Sequence, residues 1–202
     1  MSFNIRYLKR EHALSLESAV RRCAQKGDER SKEFIYKQCY GYVRAITMRY
    51  VKNEYDAEEL TNESFMRAFA KVVTFNSNDT GERFEKSFRA WLARIAVNIS
   101  IDFLRAQKQF VALDNVSEGE FEQQRVEVTG DLHVEDIMKL LLQLPEIQRT
   151  IFNLYEVEGY SHEEVATLLG IPESTSRTYL TRAKKKLRKL YLASIDITAR
   201  YE

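Results

Sequence analysis

Apolar side chains recur along this chain at steps of three and four, the period of a helix with one buried face. Leu16, Ala19, Val20 and Cys23 mark one such stripe, and Phe34, Ile35, Cys39, Tyr42, Val43, Ile46 and Tyr50 mark a second after a break at Gly27-Asp28. A third runs through Leu60, Phe65, Phe69 and Val72 or Val73, behind an acidic first turn that Asp56 can cap. The fourth carries Phe88, Trp91, Leu92, Ile95, Ile99 and Phe103, which assigns Trp91 to core packing, and ends near Lys108. Four helices with short loops predict a compact helical domain.

From about Phe110 to Asp131 the period lapses into an acidic, polar stretch containing Gly119 and Gly130, which reads as an interdomain linker. Helical patterns then resume over residues 134–144, 145–159, 161–170 and 172–192, with Pro145 at a start and Gly159 at an end. The expected architecture is therefore all-α: two small helical domains, residues 1–109 and 132–202, joined by a flexible linker over 110–131.

Composition narrows this further. Only 7 Gly and 2 Pro in 202 residues disfavour a turn-rich β fold. Cys23 and Cys39 have no CxxC spacing and read as inert, reduced thiols. No apolar run approaches the roughly 20 residues of a membrane span, and the charged start is unlike a signal peptide, so a cytoplasmic protein without membrane insertion is expected. His12, His133 and His162 are scattered, and no zinc-protease, P-loop or dinucleotide pattern occurs. The reading is a non-enzyme with no catalytic residues, metal or cofactor. Net charge is only +1, so any case for nucleic acid rests on where the charges sit.

They gather near the end. Ser161 and Glu164 form a capping-box pattern, Val165, Ala166, Leu168 and Leu169 supply an apolar face, Gly170 stops the helix, and Ile171 precedes Pro172 and a new start. This is the grammar of a helix-turn-helix, whose second helix enters the DNA major groove. That helix opens on Ser174, Thr175, Ser176, Arg177, Thr178 and Tyr179 and continues through Arg182, Lys184, Lys185 and Lys186 to Arg188 and Lys189, with no acid after Glu173 until Asp196. Arg177 suits a guanine edge, and the later cations suit phosphates.

The stretch from Leu144 to Leu190 resembles region 4 of the extracytoplasmic-function sigma factors, and residues 56–72 with 88–108 resemble their region 2. Together the two resemblances cover about residues 30–108 and 132–192, in the family's order. The resemblance implies a factor that binds core RNA polymerase and directs initiation at promoter DNA. It assigns minus-35 reading to Ser174, Thr175, Arg177, Thr178, Tyr179, Arg182, Lys184, Lys185 and Lys186. Members often carry Arg where this chain has Tyr179, which implies altered specificity there. Minus-10 contacts fall to Arg94, Asn98, Asp102 and Arg105, with Asn76, Ser77 and Asn78 in a loop that holds a flipped base. Asp56, Glu58, Glu59, Leu60, Thr61 and Phe65 match the segment that docks on polymerase. Many members are held inactive by an anti-sigma factor, which adds that class of protein as a candidate partner. The linker is expected to act as an extendable tether between promoter elements. A two-component regulator would need an α/β receiver that the first 108 residues lack, and an antagonist without DNA would not need the basic helix.

Overall fold

The computed structural model describes residues 14–107 and 134–198, which places the linker expectation outside the described residues. Eight α-helices and no strand occur among the described residues. The first four are α1 (Leu16–Lys26), α2 (Glu29–Thr47), α3 (Glu54–Lys71) and α4 (Gly81–Ala106). Local chemistry sets their ends. Ser15 and Ser18 exchange hydrogen bonds in a capping box at α1, Gly27 closes it at φ 62°, and the Asp28 carboxylate accepts from the Ser31 amide to start α2. Asn53, three residues before the expected Asp56, caps α3: its Oδ1 accepts from the Asp56 amide at 2.7 Å. Asp56 instead occupies the first turn, where its charge favours the helix dipole.

The apolar faces of α1 to α4 close on a core that includes Ile35, Val43, Phe65, Phe84, Phe88 and Leu92. Burying each large side chain contributes roughly 1.5–3 kcal/mol before entropy is subtracted. Phe75, from the loop after α3, sits among Phe84, Phe88 and Trp91 at ring distances of 5.3–5.6 Å, so Trp91 packs at the core's margin. Between α2 and α3, Thr47 and Thr61 satisfy each other's buried hydroxyls at 3.0 Å, and Thr61 also donates to the Ala57 carbonyl.

The C-terminal half comprises α5 (Val134–Leu142), α6 (Glu146–Phe152), α7 (His162–Leu169) and α8 (Glu173–Thr198). Helix α6 does not run on to Gly159 as the pattern predicts. It widens into a π turn over Asn153–Val157, in which the Glu158 amide donates to the Asn153 carbonyl. Both Asn153 and Glu158 then face the N-terminal half. The Asn153 side-chain amide donates to the Arg49 carbonyl at 2.9 Å, and Glu158 pairs with the Arg49 guanidinium at 2.9 Å.

Arg149 of α6 is 1% exposed and donates to the Tyr50 carbonyl at 3.1 Å. Ile147, Ile151, Leu154 and Val165 belong to the same apolar cluster as Ile46 and Tyr50. The two halves therefore share a buried seam, with α4 against α7.

Candidate nucleic-acid interface

Helices α7 and α8 form the turn that the sequence predicts. Ser161 and Glu164 cap α7 reciprocally, Gly170 ends it at φ 65°, and the Ile171 amide donates to the Ala166 carbonyl at 3.1 Å. Apolar contacts fix the angle: Val165, Leu169, Leu180 and Ile171 are buried together. Ser176, on the inner side of α8, is wholly buried, and its hydroxyl lies 2.9 Å from His162 Nδ1. The His162 ring stacks on Tyr155 at 4.3 Å, which ties α7, α8 and the π turn together.

The opposite face of α8 is outward. Ser174, Arg177, Thr178, Arg182, Lys184 and Lys185 are exposed, and Thr175, Tyr179 and Lys186 are half-buried. Several of these groups already have partners. Arg177 pairs with Glu173 one turn earlier, Arg182 lies 5.6 Å from the centre of the Tyr179 ring, and Lys184 pairs with Glu156 of the π turn at 2.6 Å. The Thr178 hydroxyl donates back to the Ser174 carbonyl, which turns its hydrogen toward its own helix.

On α4, Arg94, Asn98, Asp102 and Arg105 are all exposed, and their spacing of four, four and three puts them on one stripe. Arg67 of α3 approaches Asp102 at 3.9 Å while pairing with Glu63. Asn76, Ser77 and Asn78 sit in the loop before α4. The Asp79 carboxylate accepts from Ser77 and Ser87, which fixes the loop's fold. Helix α1 fastens it from outside: Arg21 donates to the Asp79 carbonyl at 3.1 Å and stacks over Phe84, while Glu17 accepts from the Gly81 amide at 2.8 Å. That amide, with Arg21 assisting, holds the Glu17 carboxyl below its ordinary value. A cavity of about 150 Å³ opens here between Val20, Arg21, Phe75, Asn76, Ser77 and Phe84. Arg21 was not legible as a site residue, because nothing in its own helix points to a loop 58 positions away.

Helix α3 divides the expected docking set between interior and surface. Leu60, Thr61 and Phe65 are at most 2% exposed and belong to the interior. Asp56 is half-buried, and Glu58 and Glu59 are exposed. The surface instead presents an open groove of about 620 Å³ lined by Tyr55, Glu58, Glu59, Asn62, Glu63 and Met66, with Tyr55 and Met66 largely exposed. Carboxylates beside bare apolar groups suit a basic helical partner. Cys23 and Cys39 are buried free thiols, and burial pushes both pKa values up. Among the described residues no group of three metal-ligating side chains converges, and no helix is long and apolar enough to cross a membrane.

Comparison with known proteins bears on both halves of the chain. Residues 35–110 match the family described as Sigma-70 region 2, and residues 135–187 the family described as Sigma-70, region 4. The RNA polymerase sigma factor SigV of Bacillus subtilis is 31% identical over 148 residues, 71% of this chain and 80% of the relative. The ECF RNA polymerase sigma factor SigW of the same organism is 29% identical over 170 residues, 78% of this chain and 83% of the relative. Among solved structures, the sigma factor RpoE in complex with the anti-sigma factor NepR from Bartonella quintana aligns at 23% identity with a TM-score of 0.48, covering 79% of this chain and 95% of that one.

Proposed function

The chain belongs to the sigma-70 family, within its extracytoplasmic-function sigma factors, and on that premise we propose which of its surfaces perform each part of the work. As a sigma factor it directs promoter recognition and transcription initiation with RNA polymerase. Its part is recognition; the phosphodiester chemistry belongs to the polymerase, and the protein would act in the cytoplasm beside it.

Residues 1–109 serve as the unit for core polymerase and the minus-10 element, residues 132–202 as the unit for minus-35, and 110–131 as the connection. The N-terminal half of α8 enters the major groove, with Arg177 on a base edge and Lys184, Lys185 and Lys186 on phosphates. The α4 stripe of Arg94, Asn98, Asp102 and Arg105 tracks the minus-10 strand. The cavity walled by Phe75, Asn76 and Ser77 receives an unstacked base, with Arg21 also on its lining. The α3 groove, through Tyr55, Glu58, Glu59, Asn62 and Met66, docks on polymerase. An anti-sigma factor remains a candidate partner by family.

The observation that carries this reading is the presence on one chain of two exposed polar surfaces of different make, a basic helix-turn-helix face and a mixed-charge stripe on α4, together with a small cavity at the loop before α4. Reconstituted transcription tests it. Core polymerase with this protein should initiate at a restricted set of promoters in a genomic library, and Glu59→Lys with Met66→Glu should abolish assembly while leaving minus-35 binding intact. Initiation without promoter selectivity would refute the reading.

A further inference from the structure

Ser15, Asp28, Asn53 and Ser161 each accept a hydrogen bond at the start of their own helix. Helix α4 differs. Thr80 at its N-cap gives no side-chain hydrogen bond, and the acceptor comes instead from α1. Glu17 Oε2 accepts from the Gly81 amide at 2.8 Å across 64 positions of sequence, and its charge suits the positive end of the α4 dipole. Its other oxygen, Oε1, accepts from Arg21 Nε at 3.0 Å, and Arg21 Nη2 donates to the Asp79 carbonyl at 3.1 Å. Two neighbouring side chains of α1 therefore grip the chain at Gly81 with an acceptor and at Asp79 with a donor. The Arg21 guanidinium also lies 4.8 Å from the centre of the Phe84 ring.

What is gripped is the far end of the loop assigned to the unstacked base. Its near end is fixed by Phe75, set among Phe84, Phe88 and Trp91 at 5.3–5.6 Å. Between these anchors Ser77 bonds to the Asp79 carboxylate, while Asn76 and Asn78 stay exposed. Helix α1 also contributes Val20, Ala24 and Gln25 to the lining of the cavity. Without the α1 contacts the loop would lose its second anchor, and the freedom it gained would have to be removed each time a base entered. That cost falls only on a base that fills the cavity. It lowers affinity for the accepted base and leaves a strand lacking that base unaffected, so discrimination falls.

Resting on the base-pocket reading above, we propose that Glu17 and Arg21 are positioning residues for minus-10 recognition: from α1 they hold the loop in the shape that accepts the unstacked base. Neither needs to touch the base for this. The pair acts through the backbone of Asp79 and Gly81.

Two measurements test the clamp. In holoenzyme reconstituted with core polymerase, binding is measured to single-stranded minus-10 oligonucleotides in which each base in turn is replaced by an abasic site. Wild type should lose about tenfold at the position whose base enters the cavity, the scale of one lost base contact. Glu17→Ala and Arg21→Ala should abolish the penalty at that position, with the penalties at other positions and the affinity for core polymerase unchanged. Glu17→Gln, whose amide oxygen can still accept from Gly81, should keep most of it. In the free full-length chain, both alanine variants should speed amide hydrogen exchange over residues 76–82 and leave the middle of α2 and α4 as protected as in wild type. A wild-type penalty in the alanine variants, equal weakening on every oligonucleotide, or unchanged exchange would overturn the clamp alone. A wild type with no abasic penalty at any position would overturn the base-pocket reading and the clamp with it. If an alanine variant lost its helical circular dichroism, the exchange Glu17→Arg with Arg21→Glu decides. It keeps an ion pair on α1 but sets donor against donor at Gly81 and acceptor against acceptor at Asp79. A helical chain without the penalty supports the clamp, and a helical chain with the wild-type penalty rejects it.

Discussion

Lys184 Nζ on α8 stands 2.6 Å from the Glu156 carboxylate in the π turn, so one of the cations assigned to DNA phosphate is already paired within the protein. Its side chain is still half exposed, and binding DNA exchanges one anion for another. Removing the carboxylate should therefore strengthen binding to any duplex. Glu156→Gln is expected to raise affinity several-fold with a nearly unchanged logarithmic salt dependence, because Lys184 meets the phosphate in either form, whereas Lys184→Gln should flatten that dependence by about 0.9, the increment for one phosphate contact. Anisotropy titrations of a minus-35 duplex over a range of KCl concentrations check this; an unchanged slope for Lys184→Gln would mean that Lys184 does not contact DNA.

Arg177 poses the complementary case. Its side chain is 63% exposed and pairs with Glu173 on the outer face of α8. A bidentate contact to guanine discriminates by about 1–3 kcal/mol. Arg177→Ala should lose that much on the preferred duplex and much less on sequences altered at one position, whereas Lys185→Ala should weaken all duplexes alike. Uniform weakening by Arg177→Ala across all minus-35 variants would remove the base-reading role.

These two residues also show what the sequence makes legible. Turn grammar is local, so Ser161, Glu164, Gly170 and the outward face of α8 follow from spacing alone. Partners distant in sequence do not: Glu156 beside Lys184, Arg21 against the Asp79 loop and Arg149 under Tyr50 are set by how helices pack. The expected docking set spans both sides of α3 for a related reason. Matching a segment selects consecutive residues, but a helix turns Leu60, Thr61 and Phe65 inward and leaves Tyr55, Asn62 and Met66 outside. The π turn was missed because periodicity continues through Asn153–Val157 while the backbone widens there.

Two glycines should respond with opposite sign to the same substitution. Gly170 holds φ 65° at the end of α7, a conformation that costs an L side chain about 1–2 kcal/mol. Gly41 lies inside α2 at ordinary helical angles, and an added Cβ would meet nothing within 4 Å. Gly170→Ala should destabilise by about 1 kcal/mol or more, and Gly41→Ala should stabilise by about 0.5–1 kcal/mol. Urea melts followed by circular dichroism, fitted for the midpoint of each variant, give both signs at once.

The last prediction concerns pH and His162. Burial, then the nearby Arg177 charge, lower its pKa from the ordinary 6.5, while Glu173 and Glu156 oppose the shift only in part. The folded protein thus prefers the neutral ring, which stacks on Tyr155 and shares a hydrogen bond with Ser176. In the unfolded chain the ring takes up its proton near pH 6.5, earlier than in the folded chain as pH falls. His162 therefore contributes stability that is present above 6.5 and is lost as pH drops through 6.5 toward the lowered folded value. Glu146 and Glu158 act oppositely. Burial raises both carboxyls above their ordinary 4.5, so folding gains stability from their protonation as pH falls toward that range. Wild type alone reports the sum of these effects. The difference between wild type and His162→Gln, a neutral residue that keeps a hydrogen-bonding group toward Ser176, isolates the histidine. Denaturant midpoints measured from pH 8 to pH 5 should show wild type losing stability relative to His162→Gln below pH 6.5 and running parallel to it above. Parallel curves over the whole range would mean that the ring is equally free to protonate in both states, and an opposite divergence would mean that the folded protein favours the imidazolium.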